Sequence, residues 1–71
     1  MKEIGIVADN YKVNKFKKEL EANGFKDYDI HPFTNQTQTI KVHVADDDFR
    51  EAVKKIKKLC MRVELHFKHS N

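Results

Sequence analysis

The spacing between apolar residues switches along this chain between two positions and three to four, and the order of these switches restricts the fold more than any other feature. Residues 2–8 alternate apolar side chains with polar or small ones, whereas the apolar residues of 11–23 recur at three and four positions. Alternation is the period of a half-buried strand, and the longer period is that of a helix packed on one side. We therefore predict a strand over 2–8 and a helix that runs to Asn23.

The ends of this first helix carry their own signals. Asp9 and Asn10 stand just before the helical period, and their side-chain oxygens are expected to accept hydrogen bonds from the first turn. Gly24 follows the last helical residue, where a left-handed residue commonly ends a helix, and Phe25 is expected to fold back as the apolar contact of that cap. The sequence thus predicts a helix with defined ends between two strands.

The middle of the chain predicts a hairpin. Tyr28 and Ile30 alternate with polar residues, and Pro32 follows at a position that only an edge strand tolerates. Residues 34–38 are polar and suit a loop, after which residues 40–44 alternate again between apolar and polar side chains. We predict an outer second strand that is joined by this loop to a third strand.

The last part of the chain predicts a second helix and a fourth strand. Asp46–Asp48 suits a helix start, because negative charge near a helix N-terminus is stabilising. The apolar residues that follow, within 49–60, form one stripe at helical spacing. Residues 62–68 then alternate apolar with polar side chains, which predicts the last strand.

The resulting order is strand, helix, strand, strand, helix, strand within 71 residues, a length that supports one small domain over residues 1–71. Two right-handed crossovers with a hairpin between them give an antiparallel sheet in the order 4-1-3-2 with both helices on one face. We predict an α+β domain of this ferredoxin-like βαββαβ type. Phe16, Val53 and Leu65 are predicted to be fully buried in its core.

Charge and cysteine content limit the classes of function. Fourteen Lys and Arg against eleven Asp and Glu give a net charge of +3, and no single segment is strongly basic, so we expect only weak attraction to polyanions. The lone Cys60 cannot form an internal disulfide, which favours a reducing compartment. The N-terminal apolar run is too short for a signal peptide or a membrane span. We expect a cytoplasmic protein with no membrane partner.

The side of the predicted sheet that faces away from the helices is the first candidate site, because it is polar, mixed in charge and rich in histidine. The predicted pairing places Asp29 opposite His43, where the two side chains can form a cross-strand ion pair. We predict that this face and the edge of the fourth strand bind a protein or ligand. The residues concerned are His31, Lys41, His43, Arg62, Glu64, His66 and Lys68.

Residues with catalytic or metal-binding potential have simpler roles in this pattern. His31, His43 and His66 lack any metal-ligand spacing, and two of their strands are predicted to lie too far apart for one zinc ion. Asp46–Asp48 lacks the glycine and the distal glutamate of a calcium loop. Cys60 lies on the apolar stripe, where an inert buried thiol is expected. We therefore expect no metal, no cofactor and no enzymatic activity.

Two functions from different classes remain. The first is a non-enzymatic intracellular binding or regulatory module that contacts a protein, with a homo-oligomer as the expected state; phage-encoded modulators of host proteins offer an analogy. The alternative is a weak binder of nucleic acid or of a phosphate ligand. Its basic patch comprises Lys54, Lys55, Lys57 and Lys58 of the second helix.

Overall fold

The computed structural model describes residues 1–63 and the backbone of residues 66–70. Its strands and helices are, in chain order, β1 (Lys2–Asp9), α1 (Val13–Ala22), β2 (Tyr28–Pro32), β3 (Thr37–Val44), α2 (Phe49–Arg62) and β4 (His66–Ser70). Within residues 1–63 the chain has two helices and a three-strand antiparallel sheet in the order β2-β3-β1. The backbone of β4 runs antiparallel along the other side of β1. The predicted α+β class is confirmed.

β1 and β3 form the centre of the sheet. Ile4 lies opposite Val42 and Ile6 lies opposite Ile40, and all four side chains are fully buried. These residues alternate along each strand with residues that point to the other face, as the apolar pattern predicts. The buried side of the sheet is therefore fixed by the same alternation that identifies the strands.

One apolar cluster joins this side of the sheet to both helices. Phe16 and Leu20 of α1 and Ile56 of α2 are fully buried in it. The predicted burial of Phe16 is confirmed, and each such side chain contributes about 1.5–3 kcal/mol through burial. Val53 is only half-buried, so its predicted full burial is wrong, because it lies on the flank of the α2 stripe. The prediction for Leu65 falls outside the described residues.

The pairing of β2 with β3 differs from the prediction by two residues. Asp29 lies opposite Lys41 and not opposite His43. The turn is the cause: the Thr34 hydroxyl accepts a hydrogen bond from the backbone N–H of Thr37 at 3.1 Å and closes the loop earlier than predicted. A shift of two residues preserves the alternation of side chains, so each residue keeps its predicted face.

The C-terminal end of α1 forms the predicted cap. Gly24 has a φ of 88°, in the left-handed region that glycine adopts without strain. The backbone N–H of Phe25 donates to the carbonyl of Leu20 at 2.9 Å, and that of Gly24 donates to the carbonyl of Glu21 at 3.1 Å. These two bonds form a Schellman motif and satisfy carbonyls that the helix leaves open.

The N-terminal end of α1 differs from the prediction. Residues 10–12 form a 3-10 turn before the helix, and neither end of this turn has a side-chain cap. Asn10 bonds to the β2–β3 loop: its backbone N–H donates to the carbonyl of Gln36 at 2.9 Å, and its side-chain oxygen accepts from Gln38 at 3.1 Å. The predicted capping by Asp9 and Asn10 is therefore wrong, because Asn10 is used to join two loops.

α2 begins after a 3-10 turn formed by Asp46–Asp48. No side chain caps this turn or the helix that follows, and Asp46 Oδ1 instead lies 3.5 Å from the N-terminal ammonium of Met1. The three carboxylates are still positioned at the N-terminal end of the helix, where negative charge is favourable. The predicted helix start is confirmed in place, although not in its hydrogen bonds.

α2 also extends further than the sequence predicts. It continues to Arg62, and the backbone N–H of Val63 donates to the carbonyl of Leu59 at 3.1 Å. Val63 is buried because it continues the apolar stripe one turn beyond Leu59. The prediction of a strand at Arg62 and Val63 is therefore wrong; Glu64 and Leu65 lie outside the described residues, and β4 spans His66–Ser70.

Candidate functional site

The open face is the side of the sheet that faces away from α1 and α2. Along β1 and β3 it is formed by alternate residues, so Glu3 lies opposite His43, Gly5 opposite Lys41 and Val7 opposite Thr39. β2 extends the open face with its own alternate residues, which lie opposite those of β3. Its members along β1, β2 and β3 are Glu3, Gly5, Val7, Asp9, Asp29, His31, Thr37, Thr39, Lys41 and His43.

His43 contacts two acidic side chains of the open face. Its Nε2 lies 2.8 Å from Asp29 Oδ2, and its Nδ1 lies 3.7 Å from Glu3 Oε2. Only 18% of the His43 side chain is exposed, compared with 62% for Asp29 and 44% for Glu3. We call these three residues the carboxylate–histidine cluster, and it links three neighbouring strands.

The surroundings of His43 favour its charged form. The hydrogen bond to Asp29 is the largest influence and raises the pKa of His43 above its ordinary value. Partial burial acts in the opposite direction, while the negative charges of Asp27, Asp29 and Glu3 add to the increase. The cluster therefore holds a group that changes charge near neutral pH and is biased towards the imidazolium.

The predicted ion pair between Asp29 and His43 is present, although the predicted register is wrong. Asp29 lies opposite Lys41, so its carboxylate reaches His43 diagonally across the two strands. Diagonal neighbours on one face are within reach of long side chains. The sequence thus predicts the contact because it predicts the correct face, and the contact does not require the exact pairing.

The other predicted site residues are not all on this face. Lys41 is half-buried on it, and His31 is exposed opposite Thr39. Arg62 was predicted to lie on the fourth strand, but it is the last residue of α2, where its guanidinium lies 3.4 Å from Glu19 of α1. This placement is wrong because the helix continues past the predicted boundary.

Three further predicted site residues have no described side chain. Glu64 lies outside the described residues, and only the backbone of His66 and Lys68 is described, within β4. The predicted role of the fourth-strand edge therefore stays a prediction.

The carboxylate–histidine cluster is not arranged as a metal site. Asp29 and Glu3 contact opposite nitrogens of the His43 ring, so the three side chains do not converge on one point. A metal ion requires ligand atoms directed at one centre. Across the described part of the chain, no group of three or more His, Cys, Asp or Glu residues could hold a metal ion. What the cluster offers is a fixed pattern of charge and hydrogen-bond acceptors.

Positive charge is concentrated in the helices. α1 and α2 together carry nine Lys and Arg residues and three Glu residues, whereas the rest of the sequence carries five Lys and eight Asp and Glu. The predicted basic patch is exposed along α2. The overall charge of +3 therefore conceals a basic helical layer and an acidic remainder.

Tyr11 is a surface feature that the sequence analysis did not select. It follows β1 in the 3-10 turn, and 79% of its surface is exposed. It borders a groove of about 440 Å³ that is also lined by Lys12, Lys15, Arg62 and Val63. The sequence signals were its position outside the apolar stripe of Val13, Phe16 and Leu20 and the nearby lysines, whereas the approach of Arg62, distant in sequence, was not visible.

Cys60 takes no part in any of these surfaces. It is buried in the core on α2, and burial raises the pKa of its thiol to about 11. A thiol in this setting stays protonated at neutral pH and is a poor nucleophile. Its predicted burial is confirmed.

Comparisons with protein-family models, with curated proteins and with solved structures find no match for this chain. No helix among the described residues combines the length and the apolar character that crossing a membrane requires. Function therefore has to be inferred from the chemistry of the two surfaces described above, the open face and the basic helical layer.

Proposed function

We propose that this protein is a small binding module, not an enzyme, and that its open face contacts another protein or a second copy of the chain. The observation that carries this proposal is the carboxylate–histidine cluster. Its three side chains are held in place on the solvent side of the sheet, whereas the apolar residues that stabilise the fold lie on the other side. A fixed array of charges on an exposed face supports recognition of a partner with complementary charges.

The proposal includes a finer description of the fold. We propose that β4 completes a ferredoxin-like βαββαβ domain with the sheet order 4-1-3-2. The backbone pairing of β4 with β1, in which Phe67 lies opposite Ile6, supports this arrangement. With β4 in place the sheet has four strands.

The charge of the cluster indicates the chemistry of the partner. Glu3, Asp29 and the nearby Asp27 provide three carboxylates around His43, and Lys41 provides one ammonium on the same face. A partner that presents Lys or Arg towards the carboxylates and an acidic group towards Lys41 would match this pattern. Such matching increases specificity and association rate more than it increases affinity.

Self-association through the sheet edge is a second part of the proposal. The β2 edge ends at Pro32, which removes one backbone donor, whereas the sequence of β4 contains no proline. A strand edge without proline can pair with another strand through backbone hydrogen bonds. The sequence of β4 includes Lys68, and charged residues in an edge strand discourage indiscriminate association.

Cellular location belongs to the same proposal. A cytoplasmic protein is supported by the single cysteine, since Cys60 is buried and cannot form an internal disulfide.

The open face can be tested with matched double variants. We would immobilise the protein, capture partners from a lysate of the source cells and compare the wild type with Lys41→Ala/His43→Ala. The control is Lys54→Ala/Lys58→Ala, which changes two exposed residues of α2. The proposal expects a specific protein to be lost only with the open-face variant. Loss only with the helix variant would overturn it.

Self-association is tested without a lysate. Light scattering at high micromolar concentration measures the mass of the wild type and of His66→Pro, which removes the backbone donor at that position. A dimer that dissociates in the variant supports pairing through β4. A monomeric wild type would reject this part of the proposal and leave binding of a different protein to the capture experiment.

A further inference from the structure

The helical layer has a net positive charge, which the open face lacks. α1 and α2 carry nine cationic residues and three Glu, and the remainder of the sequence has more acidic than basic residues. The two helices contact each other, so their outer sides form one surface. Clustered cations on one side of a small protein attract polyanions from solution and orient them towards that side.

The lysines of this surface are available to solvent. Lys15 and Lys18 are exposed on α1, and Lys54, Lys55 and Lys58 are exposed on α2. Exposed ammonium groups on two adjacent helices match a ligand with several negative charges spaced along its length. A nucleic-acid backbone is such a ligand, since each bound phosphate releases condensed counterions.

The Tyr11 groove adds a different type of contact at one end of this surface. α1 begins next to the groove and α2 ends in it at Arg62. The Tyr11 ring is 79% exposed, and the Lys12 ammonium lies 5.7 Å from the centre of the ring. An exposed aromatic ring among cations offers a platform on which an unpaired base can stack while neighbouring phosphates meet the positive charges.

We propose that the helical layer and the Tyr11 groove together bind single-stranded nucleic acid, independently of the proposed function of the open face. The phosphates of the strand contact the lysines of α1 and α2, and one of its bases stacks on the ring of Tyr11. A single strand is favoured over a duplex because stacking on Tyr11 requires a base that is not already stacked and paired. Lys15 lies both on α1 and in the groove, so it joins the two parts of the site.

Fluorescence anisotropy with a labelled single-stranded oligothymidine tests the electrostatic part. The reversed pair Lys54→Glu/Lys58→Glu is expected to reduce affinity about tenfold or more at low salt and to make the dependence of affinity on salt less steep. The matched control is Lys2→Glu/Lys26→Glu, which changes the net charge equally at two exposed residues outside the helices. The control is expected to reduce affinity much less.

The stacking part is tested by Tyr11→Ala, with Tyr11→Phe as the conservative variant. Alanine is expected to weaken single-strand binding about tenfold, whereas phenylalanine retains an aromatic ring and preserves most of the affinity. Neither variant is expected to change binding of heparin, which has charge but no bases. Circular dichroism verifies that each variant is folded.

Three results would overturn the proposal. No binding by the wild type at low salt would reject the site. Equal losses in the two double variants would assign the attraction to net charge alone. Equal binding of duplex and single strand, with no effect of Tyr11→Ala, would show a simple polyanion surface without base stacking.

Discussion

The two faces of the sheet are made by alternate residues of the same strands, and they differ in almost every property. Ile6 and Ile40 are fully buried against the helices, while their neighbours Val7 and Lys41 are half-buried on the open face. The buried face is apolar, and the open face carries both signs of charge. The comparison shows that adjacent residues of one strand lie on opposite faces, so that one stabilises the fold and the next can contact a partner.

The difference also explains why the proposed binding role falls to polar residues in so small a chain. The fully buried side chains are large and apolar, and Phe16 is the largest of them. A domain of this size has only a few kcal/mol of net stability, so these residues cannot be exchanged freely. Glu3, Asp29 and His43 of the open face contact one another, and none of the three belongs to the apolar core.

The largest effect that we predict comes from placing the same new charge on each face. Ile6→Lys buries an ammonium group in the core and is expected to cost at least about 4 kcal/mol, because a buried lysine must lose its charge or disrupt the packing. Most molecules would then be unfolded at 25 °C. Circular dichroism during urea titration measures the loss.

Val7→Lys is the control, since Val7 adjoins Ile6 and is half-buried on the open face. The expected cost is below about 1 kcal/mol, as for a substitution at a partly exposed position. Similar losses in the two variants would mean that the open face is as closely packed as the core, and the comparison would then be wrong.

The second prediction concerns truncation of an aromatic ring. Phe16→Ala leaves a cavity in the core and is expected to cost about 3–5 kcal/mol. Phe33→Ala is the matched change at a residue of which 51% is exposed, and about 1 kcal/mol or less is expected. The urea midpoints of the two variants measure the difference. A loss below about 1 kcal/mol for Phe16→Ala would indicate that α1 is not packed on the sheet.

These contrasts follow from a pattern that is visible in the sequence. The alternation around Ile40 and Val42 has a single interpretation, because no helical period fits it, and both residues are buried as predicted. Val63 is different. Val63 continues the helical spacing of Leu59 and Cys60, and it also begins an alternation with Leu65. The sequence therefore allows either a longer helix or an earlier strand. The helix prevails there, and this ambiguity caused the error in the fourth strand.

The candidate site was predictable only to the level of the face. The alternation of side chains predicted that Asp29 and His43 share a face, and this held although the hydrogen bonds of Thr34 shift the pairing of β2 with β3 by two residues. Glu3 lies on the same face, but its approach to the second ring nitrogen of His43 depends on the pairing of β1 with β3, which the alternation of side chains alone does not fix. The Tyr11 groove needs residues that are distant in sequence, so no local pattern indicates it.

The third prediction addresses the charge of His43 on the open face. Asp29→Asn retains a hydrogen-bond acceptor but removes the negative charge, so the pKa of His43 should decrease towards its ordinary value. A pKa that is raised in the folded state stabilises the protein fully below the ordinary value of 6.5, and this contribution is lost as the pH rises through the raised pKa.

Nuclear magnetic resonance titration of the His43 ring measures this change directly. In urea titrations the free energy of unfolding of the wild type should exceed that of Asp29→Asn by up to about 1 kcal/mol near pH 5.5, and the difference should decrease as the pH rises through the raised pKa. An unchanged pKa in the variant would mean that the hydrogen bond does not persist in solution.

The smallest predicted effect separates the two carboxylates of the cluster. Glu3→Gln removes a charge that lies 3.7 Å from Nδ1 of His43, whereas Asp29 lies at 2.8 Å from Nε2 and accepts a hydrogen bond. The pKa of His43 should therefore decrease less than in Asp29→Asn, and stability should change by less than about 0.5 kcal/mol because a partly exposed ion pair is screened by solvent. When the ring titration is repeated at high salt, the effect of Glu3→Gln on the pKa of His43 should become smaller still. A larger decrease in the pKa of His43 for Glu3→Gln than for Asp29→Asn would mean that Glu3 of β1 is the main partner of His43. The assignment of Asp29 as the main partner would then be wrong.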